Sequence, residues 1–366
     1  MTAFRKYLLL SFTFAILNAV LLLAFFVPRF DHTDTAEYTA SIEYISGQGG
    51  EVFQHRILKP LPILIGAGLA PLFGAKNTLI FQNLIFYFLS VWLIFLLIYR
   101  IYNNTKQAFY GTILYGTAYP MLTFGLAPLT DMPGWFFYLL SVLIALNLLK
   151  EAKWSSAFWA GLAAGFGMLF KESLGAAPIF FASLVFLATH FSFKDKIKYI
   201  LVFAAAFALP VLANTIVIYQ LYSYSYWRWF AENWSHSGQT LFTYTKLRIL
   251  IEIGRVLAFG WLFVILGLVK EYFEKNKERV KILLSFVPPS LSFFLWTWPH
   301  NRIMYIAAPL LMFLASFGLM RNFKNPRVNT LAEISLLFLY ILVNYAALEF
   351  FLRYGPIIQP RHTLFG

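Results

Sequence analysis

The sequence predicts an all-α, polytopic integral membrane protein, with about eleven transmembrane helices and interfacial helices in a long first outer loop. Of the 366 residues, 60% are hydrophobic and 12% are charged, whereas a soluble domain carries about 25% charged residues. Apolar runs of roughly 20 residues, enough to cross a bilayer, recur from end to end. Membrane spans and short loops therefore account for the whole length of the sequence, and we expect one membrane domain over residues 1–366.

The predicted spans follow these apolar runs in chain order. The first run, "YLLLSFTFAILNAVLLLAFFV", is too long for the core of a signal peptide and lacks a small-x-small cleavage site after it. We therefore expect this helix to remain as an anchor. The predicted spans cover residues 7–27, 78–99, 108–127, 133–150, 156–170, 174–190, 199–219, 249–269, 282–298, 303–319 and 331–352.

The distribution of charge predicts the orientation in the membrane. The net charge is +13, and 17 of the 29 basic residues fall in inner loops if the N-terminus is cytoplasmic, as the positive-inside rule requires. No basic stripe with interleaved stacking aromatics appears, so nucleic acid is not an expected partner. We expect an integral protein of a prokaryotic plasma membrane that is surrounded by membrane lipid.

The segment "ILKPLPILIGAGLAPLFGAKN", residues 57–77, is apolar enough to be a span but holds three prolines and three glycines. These residues weaken helical hydrogen bonding and helix propensity. A full crossing here would also place the basic cluster at residues 270–281 on the outside. We therefore expect this segment to lie along the interface or dip into it, which extends the first outer loop to about residue 77.

Two charged positions interrupt long apolar runs. Asp131 is the only charged residue in residues 108–149, and Lys171 and Glu172 are the only ones in residues 157–190. At about 1.5 Å per residue each run is too long for one crossing of a core about 30 Å thick. We expect an outer hairpin turn at Asp131 and another at Lys171 and Glu172.

The predicted outer turns bring charges of both signs to one face of the membrane. A charge within the bilayer costs about 2.5 to 3.5 kcal/mol on insertion scales, so charges this close to hydrocarbon usually mark a pathway or a site. The alternative is that each one is a solvated loop charge. The charges predicted to gather there are Asp34, Glu37, Arg56, Lys59, Asp131, Lys171, Glu172 and Arg302.

Several segments resemble a known enzyme class. The first helix followed by "DTAEYTASIEYISG", "RILKPLP" and "PLFG" resembles the start of the GT-C membrane glycosyltransferases, including protein O-mannosyltransferase-like and aminoarabinose-transferase-like enzymes. That class carries an essential aspartate in its first outer loop, often four residues before a tyrosine, a spacing that Asp34 and Tyr38 match. "LTDMPGWFFYLLSVLIAL" resembles the second acidic position, at Asp131. The resemblance covers residues 1–190, a GT-C-like catalytic module followed by variable C-terminal helices in residues 191–366.

The resemblance implies transfer of a sugar, with inversion, from a polyprenyl- or dolichyl-phosphate donor to a hydroxyl of a glycan, lipid or small acceptor at the outer face. Asp34 would be the general base, although Asp31 stays an alternative. Asp131 would be the second catalytic residue, and with Glu172 it would orient the acceptor or keep the cations in place. The cations expected to bind the donor phosphate are Arg56, Lys59, Lys171 and Arg302. The residues expected to contact substrate are Glu37, Tyr38, His55, Glu172, His300 and Trp229. The alternative for Trp229 is an interfacial aromatic belt, and the alternative for His300 is a structural turn histidine.

The sequence also departs from the class. Thr35 follows Asp34, where many O-mannosyltransferases have an adjacent acidic pair, and no large outer domain follows the last helix. Both departures favour a small or lipid-linked acceptor over a protein. We expect no cofactor. A divalent metal is the open alternative, because His32, His55, His236, His300 and His362 are all predicted at the outer face but none has local metal-ligand spacing.

Two other functions fit a membrane protein with such charges. A transporter or flippase of a lipid-linked or anionic substrate would have broken helices and buried charges, but near the midplane and in two related halves. A non-catalytic scaffold subunit would bind a partner through the aromatic loop near Trp229. The scaffold predicts that Asp34→Asn is harmless to activity, whereas the enzyme predicts a severe loss of transfer.

Overall fold

The computed structural model describes residues 2–29, 32–237, 246–295, 300–320 and 325–358, and these residues form helices joined by turns, with no strand among them. We number the helices α1 to α18 in chain order. They are α1 Ala3–Leu21, α2 Thr33–Ile45, α3 Gln54–Ile57, α4 Pro60–Phe73, α5 Ala75–Tyr102, α6 Thr105–Gly116, α7 Asp131–Glu151, α8 Trp154–Met168, α9 Ala176–Leu187, α10 Phe193–Tyr222, α11 Tyr226–Ser237, α12 Lys246–Leu257, α13 Trp261–Glu274, α14 Lys277–Ser285, α15 Val287–Leu291, α16 Asn301–Met304, α17 Ala308–Leu319 and α18 Pro326–Ile358.

Seven helical segments in the described part of the chain are long and apolar enough to cross a membrane, which confirms the all-α, polytopic class. Each of the eleven predicted spans overlaps a helix, but the spans predicted over 108–127, 156–170, 174–190 and 282–298 coincide with helices of 15 residues or fewer. The count of eleven stays a prediction. The seven long segments are Ala3–Arg29, Ala75–Tyr102, Asp131–Glu151, Phe193–Tyr222, Ile249–Glu274, Asn301–Leu319 and Pro326–Arg353.

The proline-rich segment after residue 57 forms a regular helix, α4, despite its prolines. Pro60 is the first helical residue, where the missing N–H costs nothing, and Pro71 lies close to the C-terminal end. The helix has 14 residues, so it is about 21 Å long at 1.5 Å per residue, short of a hydrocarbon core about 30 Å thick. Whether this helix lies along the interface or dips into it stays a prediction.

Close contact between α13 and α17 depends on two glycines. A Cβ on Gly267 would overlap the carbonyl of Leu314, and a Cβ on Gly318 would overlap the carbonyl of Phe263. Small residues at such contacts let two membrane helices approach until their backbones touch, which increases van der Waals contact where no hydrophobic effect acts between helices. Larger residues at these two positions would therefore force α13 and α17 apart.

Helix α2 lies where the functional side chains meet. Tyr38 and Ile42 are buried in a small apolar cluster together with Ile63 of α4 and Leu79 of α5. The hydroxyl of Thr35 donates a hydrogen bond of 3.1 Å to the carbonyl of Pro128, in the turn before α7. These contacts fix α2 against the start of α7.

Candidate functional site

Eight charged side chains form one cluster at the end of the helix bundle where α1 ends and α7 begins. They come from α2, α3, the turn before α4, α7, the turn between α8 and α9, and α16. We call them the charge cluster. Within the described part of the chain, its acidic side chains form ion pairs with its basic side chains. Its members are Asp34, Glu37, Arg56, Lys59, Asp131, Lys171, Glu172 and Arg302.

Asp34 occupies the centre of the charge cluster between two arginines. Its Oδ1 accepts a hydrogen bond of 2.6 Å from Nη2 of Arg56, and its Oδ2 accepts one of 2.9 Å from Nη2 of Arg302. Burial alone would raise the pKa of Asp34, but the two guanidinium groups hold it well below its ordinary value. Asp34 is therefore ionised and its two oxygens are occupied by cations.

Arg56 also binds a second carboxylate, that of Glu37. Arg56 Nε donates a hydrogen bond of 2.6 Å to Glu37 Oε2, and His55 Nε2 lies 2.9 Å from the same oxygen. Burial opposes ionisation of Glu37, but the hydrogen bonds from His55 and Arg56 leave its pKa below the ordinary value. The Arg56 guanidinium also lies 5.0 Å from the centre of the Tyr38 ring, a cation–π contact. Arg56 is thereby fixed in orientation from three sides.

Asp131 and Lys171 form a buried pair beside this centre. Lys171 Nζ lies 3.1 Å from Asp131 Oδ1, and Asp131 is only 2% exposed. Arg302 Nε lies 3.9 Å from the same oxygen, so Arg302 links Asp34 to Asp131. Asn83 holds the turn before Asp131 by donating to the carbonyls of Ala127 and Leu129.

Lys59 and Glu172 form the remaining pair, with Nζ 2.9 Å from Oε2. Lys59 Nζ also lies 5.7 Å from the centre of the Trp229 ring, which belongs to α11. The hydroxyl of Tyr226, on the same helix, donates a hydrogen bond of 2.6 Å to the carbonyl of Leu58. Helix α11 therefore packs against Leu58 and Lys59.

Two atoms in the cluster could contact a ligand. Among the described residues, Asp131 Oδ2 and Arg302 Nη1 are buried without a hydrogen-bond partner. Buried polar atoms are usually hydrogen-bonded, and leaving one unpaired costs about 1 to 3 kcal/mol. One acceptor oxygen and one cationic donor next to each other match a ligand that carries both a hydroxyl and an anionic oxygen.

The structure brings eleven of the twelve residues that the sequence singles out into side-chain contact with another member. They are the eight of the charge cluster, His55, Tyr38 and Trp229. His300 differs, because its Nδ1 accepts the backbone N–H of Arg302 at 3.4 Å and thus caps α16. Burial and then Arg302 lower the pKa of His300 to about 3, so its ring is neutral. The contact geometry thus gives His300 a capping position; whether it touches substrate stays a prediction, as do the roles of the others.

Sequence reasoning left two residues out of the candidate site. His32 precedes α2 and its Nδ1 accepts the backbone N–H of Asp34 at 3.1 Å, so it caps the helix that carries Asp34. Glu252 of α12 accepts the backbone N–H of Asn301. The signal for His32 was its place two residues before Asp34, and the signal for Glu252 was a lone acid in the apolar stretch "LRILIEIG". Asp31 and the side chains of His236 and His362 lie outside what the structure describes.

In the described parts of the chain, no group of three or more His, Asp or Glu residues is arranged to hold a metal ion. Asp34, Glu37, Asp131 and Glu172 instead face arginine and lysine. A divalent cation at this cluster would have to displace a guanidinium or an ammonium group.

Comparison with known proteins relates this geometry to an enzyme class. Residues 60–214 match the model of the family described as dolichyl-phosphate-mannose-protein mannosyltransferase. No curated protein matches the sequence.

Solved structures with a similar fold include the oligosaccharyltransferase of Archaeoglobus fulgidus. Its complex with an inhibitory peptide and a dolichol-phosphate has a TM-score of 0.60 and 13% identity, with 95% of this chain and 56% of that chain covered. Its complex with zinc and sulfate has a TM-score of 0.59 and 13% identity, with 95% of this chain and 52% of that chain covered. The chain thus spans about half the length of these solved structures. The expected resemblance is confirmed: this chain is similar to the GT-C membrane glycosyltransferases, in sequence over residues 60–214 and in fold over most of its length.

Proposed function

We propose that this protein is a glycosyltransferase that moves a sugar from a polyprenyl- or dolichyl-phosphate donor to a hydroxyl acceptor at the outer face of the membrane. The observation that carries the proposal is the Asp34 carboxylate held between Arg56 and Arg302, next to the buried pair of Asp131 and Lys171. An ionised carboxylate beside several cations has the two components that such a transfer needs, a proton acceptor and a site for a leaving phosphate.

The cations of the charge cluster would bind the donor phosphate. Arginine holds two phosphate oxygens at once, whereas lysine acts as a point charge. Arg302 has a buried Nη1 without a partner among the described residues, so it offers an unused donor to a phosphate oxygen. Lys171 and Lys59 lie in the same cluster and would stabilise the charge that develops on the leaving phosphate.

The transfer would proceed in one displacement. The acceptor oxygen attacks the anomeric carbon while its proton passes to the Asp34 carboxylate, and the bond from that carbon to the phosphate oxygen breaks. The lipid phosphate leaves with the electron pair, on the side opposite the attack, so the anomeric centre is inverted. A well-placed general base contributes about 10² to 10⁴-fold to such a reaction.

The ion pairs of Asp34 with Arg56 and Arg302 determine at which stage of the reaction Asp34 becomes a good base. A carboxylate between two guanidinium groups has a lowered pKa and accepts a proton weakly. A donor phosphate that draws Arg56 and Arg302 to its own oxygens would weaken both ion pairs and raise the pKa of Asp34. We therefore place donor binding before proton transfer.

The acceptor would lie next to Asp131. Its Oδ2 is buried and has no partner among the described residues, so it can accept a hydrogen bond from an acceptor hydroxyl. Glu37, Tyr38, His55, Glu172 and Trp229 surround the cations and would shape the space around the sugar. We propose a glycan, lipid or small molecule as the acceptor, and no cofactor.

The test uses purified protein in lipid nanodiscs with a panel of polyprenyl-phosphate sugars, and it measures released polyprenyl phosphate. We expect release with the wild-type protein and a loss of about 10² to 10⁴-fold in kcat for Asp34→Asn. The matched control is Asp195→Asn, an exposed acid at the start of α10. Turnover of Asp34→Asn close to wild type would contradict the assignment of the base, and no release from any donor would contradict the function.

A further inference from the structure

We propose that Glu252 is a positioning residue, one that determines where Arg302 lies against Asp34. The inference rests on the proposed function in one respect, namely that Arg302 binds the donor phosphate. It concerns a side chain that lies outside the charge cluster and makes no contact with it directly.

Glu252 is buried although the two apolar residues before it are exposed. On α12, Leu250 is 63% exposed and Ile251 is also exposed, whereas Glu252 is only 6% exposed. A carboxylate on a helix in or near a membrane is expected to point to water, since burying a charge is costly unless it is paired and hydrogen-bonded. Its partner Arg255 is three residues away on the same helix and partly exposed. The ion pair alone could therefore form at the surface and does not explain the burial.

What burial achieves is a contact with α16. Glu252 Oε2 accepts a hydrogen bond of 3.2 Å from the backbone N–H of Asn301, while Oε1 accepts one of 2.9 Å from Arg255 Nη1. Asn301 is the first residue of α16, so its N–H has no acceptor inside that helix. Glu252 therefore supplies the missing acceptor from another helix and fixes the start of α16.

Arg302 follows Asn301 directly in the chain. Its side chain donates to Asp34 at 2.9 Å, and its Nε lies 3.9 Å from Asp131. The path from Glu252 through the Asn301 N–H to Arg302 is therefore one hydrogen bond and one peptide unit long. A shift of α16 by about 1 Å would misalign the guanidinium with the phosphate, and such shifts cost up to about 10²-fold in rate.

The first test measures the position of α16 without any substrate. The chain has no cysteine, so spin labels on Ala36→Cys in α2 and Ile303→Cys in α16 report one distance by electron paramagnetic resonance. We expect Glu252→Ala to shift or broaden this distance and Glu252→Gln to keep it, because the amide oxygen still accepts the Asn301 N–H. The control is Glu271→Ala, which removes a buried acid paired with Arg279 near the other end of α13.

The second test measures turnover of the polyprenyl-phosphate sugar by the full chain. We expect Glu252→Ala to lower kcat/KM by about 10- to 100-fold, chiefly through KM for the donor, and Glu252→Gln to restore most of it. In a background of Arg302→Ala, we expect the further effect of Glu252→Ala to be less than about twofold, because the residue through which it acts is gone.

The two tests separate this inference from the proposed function. An unchanged spin-label distance in Glu252→Ala, or effects of Glu252→Ala and Arg302→Ala that multiply in full, would overturn the positioning role. Equal distance changes in Glu271→Ala would also overturn it, since they would reflect general loosening of the helices. A changed distance in a protein without any turnover would instead support the positioning role and contradict the proposed function.

Discussion

At the residue scale, Asp34 depends on its neighbours for its properties. The carboxylate is ionised because Arg56 and Arg302 lower its pKa against the effect of burial. The same two ion pairs make it a weak base until something else binds the guanidinium groups. Its position comes from α2, whose first N–H groups are capped by His32.

Two neutral histidines next to Asp34 lead to a prediction about pH. Burial lowers the pKa of His300 from 6.5 to about 3 and also lowers the pKa of His32. Between pH 6.5 and about 3 the unfolded chain therefore binds a proton at His300 that the folded protein does not bind. Stability rises with pH wherever the unfolded state binds more protons. We expect the midpoint of thermal unfolding to fall as the pH drops below about 6.5.

The variant His300→Asn keeps a side-chain oxygen that can cap α16 and removes the titrating group. We expect it to reduce the loss of thermal stability between pH 6.5 and pH 4, leaving the part due to His32. The exposed His190→Asn is the matched control and should leave the pH profile as in the wild type. A wild-type profile that is flat over this range would contradict burial of the neutral rings.

At the scale of the elements, helix ends supply the charge cluster. Asp34 lies in the first turn of α2, Asp131 begins α7, and Arg302 lies in the first turn of α16. Lys171 and Glu172 come from the turn between α8 and α9. Carboxylates near helix N-termini are stabilised by the helix dipole, which suits Asp34 and Asp131, whereas the cation of Arg302 at such an end is stabilised by its ion pairs with these two carboxylates.

The buried ion pair of Asp131 and Lys171 joins α7 to the turn after α8 and leads to a prediction about stability. Removing one partner leaves an uncompensated buried charge, which costs about 3 to 5 kcal/mol. We expect Lys171→Met to lower the free energy of unfolding by about this amount. The double variant Asp131→Asn with Lys171→Met should recover much of the loss, because no charge is left unpaired.

The control for this pair is Lys153→Met, which breaks an exposed pair with Glu151. Exposed ion pairs contribute about 0 to 1 kcal/mol, so this change should be small. Unfolding in mixed detergent micelles measures all three variants. A double variant as unstable as Lys171→Met alone would argue that size and shape at Lys171, rather than charge, hold the turn.

At the scale of the whole molecule, the charges divide between two ends of the bundle. The cluster around Asp34 lies at one end, and a second set around Glu271 and Arg279 lies at the other, where Arg279 Nε donates to Glu271 at 2.8 Å. The second set holds the turn between α13 and α14 against Tyr102, whose hydroxyl donates to Glu271 at 2.8 Å. Basic residues are common at that end, which the positive-inside rule assigns to the cytoplasm.

This assignment predicts the topology of the protein. Two variants, Glu51→Cys in the loop after α2 and Lys275→Cys between α13 and α14, each introduce a single cysteine at an exposed position. We expect a membrane-impermeant maleimide to label the first in intact cells and the second only after permeabilisation. The cysteine-free wild type is the unlabelled control. The reverse pattern would place the charge cluster on the cytoplasmic side.

The residues that the sequence predicted best were charges in apolar surroundings. Asp131, Lys171 and Glu172 each interrupt a run too long for one crossing, and each lies at a helix end in the cluster. Residues 60–73 form a helix within the first outer loop, where the sequence predicts interfacial helices, because the first proline falls where its missing N–H does no harm. For His300 the sequence left substrate contact and a structural turn position open, because the cap it forms depends on where α16 begins.

By itself, the sequence determined the class of this protein. Apolar length, charge bias and helix-end charges are local properties, so they can be read along the chain without knowing which helices touch. Only the tertiary structure decided which carboxylate faces which cation. Asp34 and Arg302 are 268 positions apart, and their contact at 2.9 Å depends on the packing of α2 and α16 at one end of the bundle. The link through Glu252 exists for the same reason, because α12 must pack on α16 before its acid can reach Asn301.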